Sequence, residues 1–403
     1  MDAHLNEWLN LLIRWIHVIF GIAWIGASFY FNFLENALNR TENLRDELAG
    51  NLWAVHGGGF YYLEKYKIAP KKLPKTLHWF KYEAYFTWIT GFMLLSVVYY
   101  FNAEAYMVDP EVCDIPGFVA VGIGIWAIFF SWGIYELLCQ TPLIERRLLF
   151  AITIFIYLLF VAWALTQLIS PRGAYIHIGA IIGTFMTANV FFVIIPGQKA
   201  MVKAASEGKI PDPQKGKDGG LRSLHNNYFT LPIVFIMISN HFPSTFGSEF
   251  NWIVLAVLGL GSALVKHYLN VTERGEKNYW ILPVATVALI SLVLVTAPAG
   301  SSLNISEMGK EKEPSEKISF RQAQSIILTR CSPCHSANPS DDVFLTAPNG
   351  VMFDTPDQIR RMASKIWARA AATKSMPPAN KTKMTEAERE LLHHWIEQGA
   401  LVE

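Results

Sequence analysis

The run Cys331-Ser332-Pro333-Cys334-His335 carries the most specific chemistry in the chain. In a C-x-x-C-H motif the two thiols add to haem vinyl groups, and the adjacent imidazole becomes the proximal iron ligand. The motif predicts one covalent haem c on Cys331 and Cys334, with His335 as an axial ligand. A second axial donor must follow. Met376 in Ser375-Met376-Pro377-Pro378 fits, because the prolines fix φ and hold a weak thioether donor in place. Met352, Met362 and Met384 are the competing thioethers. A zinc half-site or a redox dithiol is the alternative use of these cysteines. His393 and His394 are adjacent on a helix and should point to different faces, which leaves a zinc set incomplete. A thioredoxin-like motif would need a βαβ setting, which is missing. Haem c is attached on the oxidising, extracytoplasmic side of a membrane, so this segment is expected there.

A second group of residues lies in apolar surroundings, where ionisable side chains are costly and mark functional candidates. Arg14, His17, Gly21, Trp24 and Ser28 recur at spacings of 3, 4, 3 and 4, and so share one helix face. His177 and His241 are expected at the same outer level as His17. His225 and His267 should lie further in, because His225 and His241 are about 24 Å apart along one helix. The outer three could ligate a b-type haem or line a substrate pocket. Against that, Arg14 could snorkel to the headgroups, and the inner histidines could be ordinary interfacial ones. His56-Gly57-Gly58-Gly59-Phe60-Tyr61 reads either as bare backbone approaching a ligand or as a flexible turn. Walker, Rossmann and hydrolase signatures are absent from the sequence.

The elements that position these residues follow from composition. Hydrophobic residues make up 52% and charged residues 17% of 403, where soluble chains carry about a quarter charged. With long apolar runs this means a membrane protein in contact with the bilayer. A net charge of +1 argues against a nucleic-acid partner. Eight candidate spans lie at 8–33, 84–101, 118–138, 148–169, 176–195, 227–238, 252–269 and 280–297. The first lacks the basic start of a cleavable signal. The sixth, with Pro232 inside, is the weakest. Basic residues crowd the first, third, fifth and seventh connections, which places these inside and both termini outside. Cys113 and Cys139 flank one span about 39 Å apart and cannot pair. The fold class expected is all-α. A polytopic domain over 1–298 should lead through a polar linker at 299–319 to a small domain at 320–403. The last helix should start with a Thr385-x-x-Glu388 capping box, end at Gly399 and pack through Leu391, Leu392 and Trp395.

Several stretches together resemble the membrane-bound bacterial urate hydroxylases, also called cytochrome c urate oxidases. They are Trp15-Ile16-His17-Val18 with Gly21-Ile22-Ala23-Trp24-Ile25-Gly26, Leu77-His78-Trp79-Phe80-Lys81-Tyr82, and His225-Asn226-Asn227-Tyr228 with Ser239-Asn240-His241. The glycine-rich stretch, the haem motif and Met376 complete the likeness. The resemblance implies an eight-helix domain fused to a class I cytochrome c, in the bacterial inner membrane with both termini periplasmic. It implies oxidation of urate to 5-hydroxyisourate, with electrons passing to haem c. From there they would go to a respiratory acceptor such as a terminal oxidase or soluble cytochrome c. Urate is an electron-rich anion, so it needs cationic or donor groups and a base. Arg14, His17 and His241 are the catalytic candidates. The competing reading is a quinol-to-cytochrome conduit without urate chemistry; a transporter or redox sensor is a third.

Overall fold

Apolar helix faces that no single helix can bury decide the architecture. The computed structural model describes residues 3–70, 72–297 and 317–402. Helix accounts for 67% of the chain and strand for 5%, so the fold is mostly helical. The first helix, α1, runs over Ala3–Ala37. After a hairpin, α2 (Tyr82–Leu95) continues through a π turn, Ser96–Tyr100. The short α3 (Ala103–Tyr106) leads to α4 (Gly117–Cys139) and α5 (Arg147–Thr166). Next come α6 (Pro171–Ala188) and, across a π turn at Asn189–Ile194, α7 (Ile195–Ser206). Then follow α8 (Pro213–Ser239), α9 (Pro243–Phe246), α10 (Asn251–Glu273) and α11 (Ile281–Val295).

A helix stands at each of the eight predicted apolar runs. Five helical segments are long and apolar enough to cross a membrane: α1, α4, α5, α6 with α7, and α10. Most of α6 is buried, which makes it the hub, and α4, α5 and α8 pack around it. Conversely α1 leaves Trp15 63% and Ile22 68% exposed. An outer surface of that kind is one a bilayer covers without cost. Helix α8 continues past Pro232 and begins well inside the basic connection, at Pro213.

The glycine-rich stretch is the turn of a β-hairpin, an element the all-α expectation did not include. Strands β1 (Leu48–His56) and β2 (Gly59–Tyr66) form an antiparallel hairpin closed by Gly57-Gly58. Both glycines have positive φ, +59° and +78°, as a two-residue type I′ turn requires. No protein atom lies within 4 Å of a Cβ built on either, so it is the positive φ that calls for glycine here.

Past the bundle stand α12 (Phe320–Arg330), α13 (Pro356–Arg361), α14 (Ala363–Ile366) with a π turn at Trp367–Ala372, and α15 (Glu386–Glu397). Most of the expected linker, 299–319, lies outside the described residues. Capping boxes start three of these helices, at Ser319 with Gln322, Thr355 with Gln358 and Thr385 with Glu388. Leu392 and Trp395 are buried, with Trp395 beside Phe320 at 5.9 Å between rings. Gly399 ends α15 with φ +97°.

Two carboxylates tie this unit together. Burial alone would push the Asp341 carboxyl up, but Lys381 and the N–H groups of Phe344 and Val343 hold it low. Likewise burial opposes, and the Thr385 N–H and Arg330 outweigh, so that the Glu388 carboxyl is lowered. A carboxylate lowered on folding stabilises fully above its unfolded pKa, near 4, and this contribution is lost as pH falls through the folded value. The C-terminal unit should therefore lose stability below about pH 4, and Glu388→Gln, which leaves Arg330 only its bond to the Thr382 carbonyl, should cost about 1–2 kcal/mol at neutral pH. Hydrogen exchange in α15, corrected for intrinsic rates, measures both; equal protection in wild type and variant at pH 7 would contradict the assignment.

Candidate functional site

A cavity of about 1130 Å³ lies where the C-terminal unit meets the helix bundle, and both parts wall it. That exceeds the roughly 300–1,000 Å³ of ordinary ligand pockets. The two parts are held together at its edge by the ring contact of Tyr106 with Phe344 and a hydrogen bond from the Asn380 amide to Glu111.

The upper wall is the C-x-x-C-H turn and the loop facing it. Cys331, Cys334, His335 and Met376 all line the cavity, beside apolar Phe353, Ile366 and Ala370. None of the four cysteines in the chain forms a disulfide. His335 Nδ1 donates to the Val351 carbonyl at 3.0 Å; a carbonyl can only accept, so Nε2 keeps its lone pair. The Met376 backbone is pinned at both ends, its N–H donating to the Arg369 carbonyl and its carbonyl accepting from buried Arg389, each at 2.9 Å. Met362 also lines the cavity, whereas Met384 is buried in the helical core. Burial pushes the Cys331 thiol up to about 12. Burial does the same to Cys334, also to about 12, helped by Asp341. Neither thiol is then a ready thiolate for dithiol exchange. Two free thiols, a bare imidazole nitrogen and a thioether around one space instead fit a covalently attached haem c.

The lower wall belongs to the bundle. His17 Nδ1 faces the Thr87 carbonyl at 3.0 Å and Thr90 Oγ1 at 3.1 Å. Thr90 spends its own proton on the Phe86 carbonyl, so His17 Nδ1 carries the hydrogen and Nε2 is a free acceptor. Gly91 makes room for the ring: a Cβ there would stand 2.9 Å from His17 Cε1. Arg14 donates to Asn10 at 3.1 and 2.9 Å. Across from it Arg172 sits 4.8 Å over the Tyr106 ring and donates to Asn240, which also accepts from Tyr99 at 2.7 Å. Trp88 and His241 line the same wall. Among the described residues the lining holds the cations Arg14, Arg172, Arg330, Lys365 and Arg369, and it contains no aspartate or glutamate.

The other histidines do not join this group. His177 is fully buried with both ring nitrogens engaged, Nδ1 to the Gly173 carbonyl at 2.7 Å and Nε2 to the Tyr100 hydroxyl at 3.1 Å. The outer trio is therefore a pair lining the cavity, His17 and His241, plus a packing histidine set against Gly124. His225 stacks on Phe150 and bonds Tyr135, whereas His267 bonds Tyr228. They sit in separate pairs rather than one centre. His393 and His394, expected on different faces, both converge on Glu397, with donor atoms within 4.8 Å of one another. Yet His393 Nδ1 accepts from the Trp367 indole at 2.9 Å. Its proton then sits on Nε2, the nitrogen a metal would need bare.

Arg172, Tyr99, Tyr106 and Thr87 are site residues that no motif flagged. Arg172 alone left a trace, as the only basic residue of the fourth connection.

A model of the urate oxidase N-terminal family matches residues 3–297. No curated protein matches the chain. No solved structure matches it either.

Proposed function

The chain belongs to the urate oxidase N-terminal family, and from that premise we propose that it oxidises urate to 5-hydroxyisourate at the lower wall of the shared cavity. The observation that carries this reading is the lining itself. Its charged side chains are all cations set in a largely apolar wall, which suits a planar anion better than a neutral quinol, and they adjoin both a free imidazole nitrogen and the C-x-x-C-H donors. The balanced reaction takes one urate monoanion and one water to 5-hydroxyisourate, one proton and two electrons.

Arg14 and Arg172 hold the anion, and the Trp88 ring, fixed by its bond to Thr184 at 2.9 Å, offers a stacking face. His17 Nε2 takes the proton of the water that attacks the purine, while Thr87 and Thr90 keep the ring in the basic tautomer. His241, on the same lining, is a second polar group for the substrate. Cys331 and Cys334 would attach the haem, His335 and Met376 would hold its iron, and Arg369 and Lys365 would pair with its carboxylates. When bound it supplies a one-electron acceptor of raised potential. Electrons then pass to a respiratory acceptor, a terminal oxidase or soluble cytochrome c.

The same reading takes residues 1–298 as a domain of eight spans in the bacterial inner membrane and 320–403 as a periplasmic cytochrome c. Its supports are the alternation of basic connections and the apolar exterior of the bundle. Oxygen isotopes test the chemistry. Turnover in ¹⁸O-labelled water should place the label in the product hydroxyl. Label arriving from ¹⁸O₂ instead would show that O₂ is the oxygen donor and the assignment is wrong.

A further inference from the structure

A second cavity, of about 1310 Å³, lies at the other end of the bundle. Trp24 borders both. The one helix face singled out in the sequence runs through the pair: Arg14 and His17 face the upper space, Ser28 the lower, and Trp24 stands between them. The flanking helices repeat the arrangement. From α2, Thr87 lines the upper cavity and Glu83 the lower; from the helix beginning at Pro171, Thr187 lines the upper and Val190 the lower. Two spaces stacked between the same helices form a passage interrupted at one level.

The lower space is furnished for a ligand. Asn227 is only 3% exposed, and its Oδ1 has no hydrogen-bond partner; Glu83 Oε2 is likewise buried without one. An acceptor left so costs about 1–3 kcal/mol. Both residues line the cavity. The Asn227 amide hydrogens are already committed, to Asn32 at 2.8 Å and Asn270 at 3.2 Å. What is missing is donors, and a heterocycle rich in N–H groups brings them. At the mouth the cavity is lined by residues of the connection after α1 and by exposed Arg147 from the start of α5, a cation that would draw an anion inward.

We propose that the lower cavity is the vestibule through which urate reaches the reaction site from the inner face, with Trp24 as the partition it must pass. The inference rests on the urate reading above and on its topology, with the C-terminal unit outside.

Full-length protein in liposomes, selected for vesicles whose C-terminal unit is accessible to external protease, tests it. Urate trapped in the lumen should reduce the haem about tenfold faster than the same concentration outside. Ser28→Trp, which fills the lower cavity under Trp24, should slow reduction by lumenal urate by about tenfold. Its haem spectrum and its reduction by dithionite should be unchanged; Ala27→Trp provides a second plug from the neighbouring position. Reduction by external urate alone, with full activity in detergent, would overturn the vestibule and leave the enzyme standing. A plugged variant that responds to lumenal urate like wild type would also overturn it. Failure of urate to reduce the haem from either side and in detergent would overturn both proposals together.

Discussion

Replacing His17 by glutamine should lower the rate of urate-driven haem reduction by about 10²–10⁴-fold, the range general-base catalysis contributes. Glutamine keeps a polar side chain of similar reach, so the bonds to the Thr87 carbonyl and Thr90 hydroxyl can persist. What disappears is the bare Nε2. Urate binding should change little, because Arg14 and Arg172 carry the charge recognition, so the loss belongs in kcat rather than KM. Gly91→Ala is the companion variant: its new methyl would meet His17 Cε1 at 2.9 Å and push the ring aside. A displacement near 1 Å costs about 10²-fold when reacting groups must be aligned. Stopped-flow reduction kinetics check both. A His17→Gln protein with wild-type kcat would remove this residue from the chemistry.

Replacing Cys331 and Cys334 together by serine should abolish turnover, because it removes the attachment and leaves His335 and Met376 facing a space without their cofactor. The serine hydroxyls do not add to vinyl groups. The helix bundle should survive, since its core is separate from the cluster of Ala323, Ile327, Leu392 and Trp395. Loss of peroxidase-active haem on a denaturing gel, with urate still bound by the membrane fraction, is the expected pair of results. Full turnover by the double variant would mean that the electrons leave by another route.

The sequence displayed a helix at each long apolar run, and it displayed the upper wall because C-x-x-C-H is a local motif. The hairpin was missed by the all-α reading, although its signal is local. Trp53, Val55, Phe60 and Tyr62 alternate along β1 and β2 around two glycines, a signal that a long apolar neighbourhood masks. Spacing along α1 correctly grouped Arg14, His17 and Trp24. It could not say that His177 turns to Tyr100 instead, because that depends on the rotation of α6 against α2 and α4. Nor could it bring Arg172, Tyr106 and Asn240 together, since three separate segments meet there. His393 and His394 misled for a simpler reason: Glu397 is three and four residues away, within reach of both.

On the proposed reading, urate's electrons pass straight across the shared cavity to the C-terminal haem. Anaerobic mixing of urate with the oxidised, detergent-purified protein tests this most directly, read at the haem c α-band. One urate should reduce the haem of two protein molecules, with loss of urate absorbance and no peroxide on readmission of O₂. A haem that stays oxidised with urate yet is promptly reduced by a quinol would contradict the account and make the chain a quinol-to-cytochrome conduit.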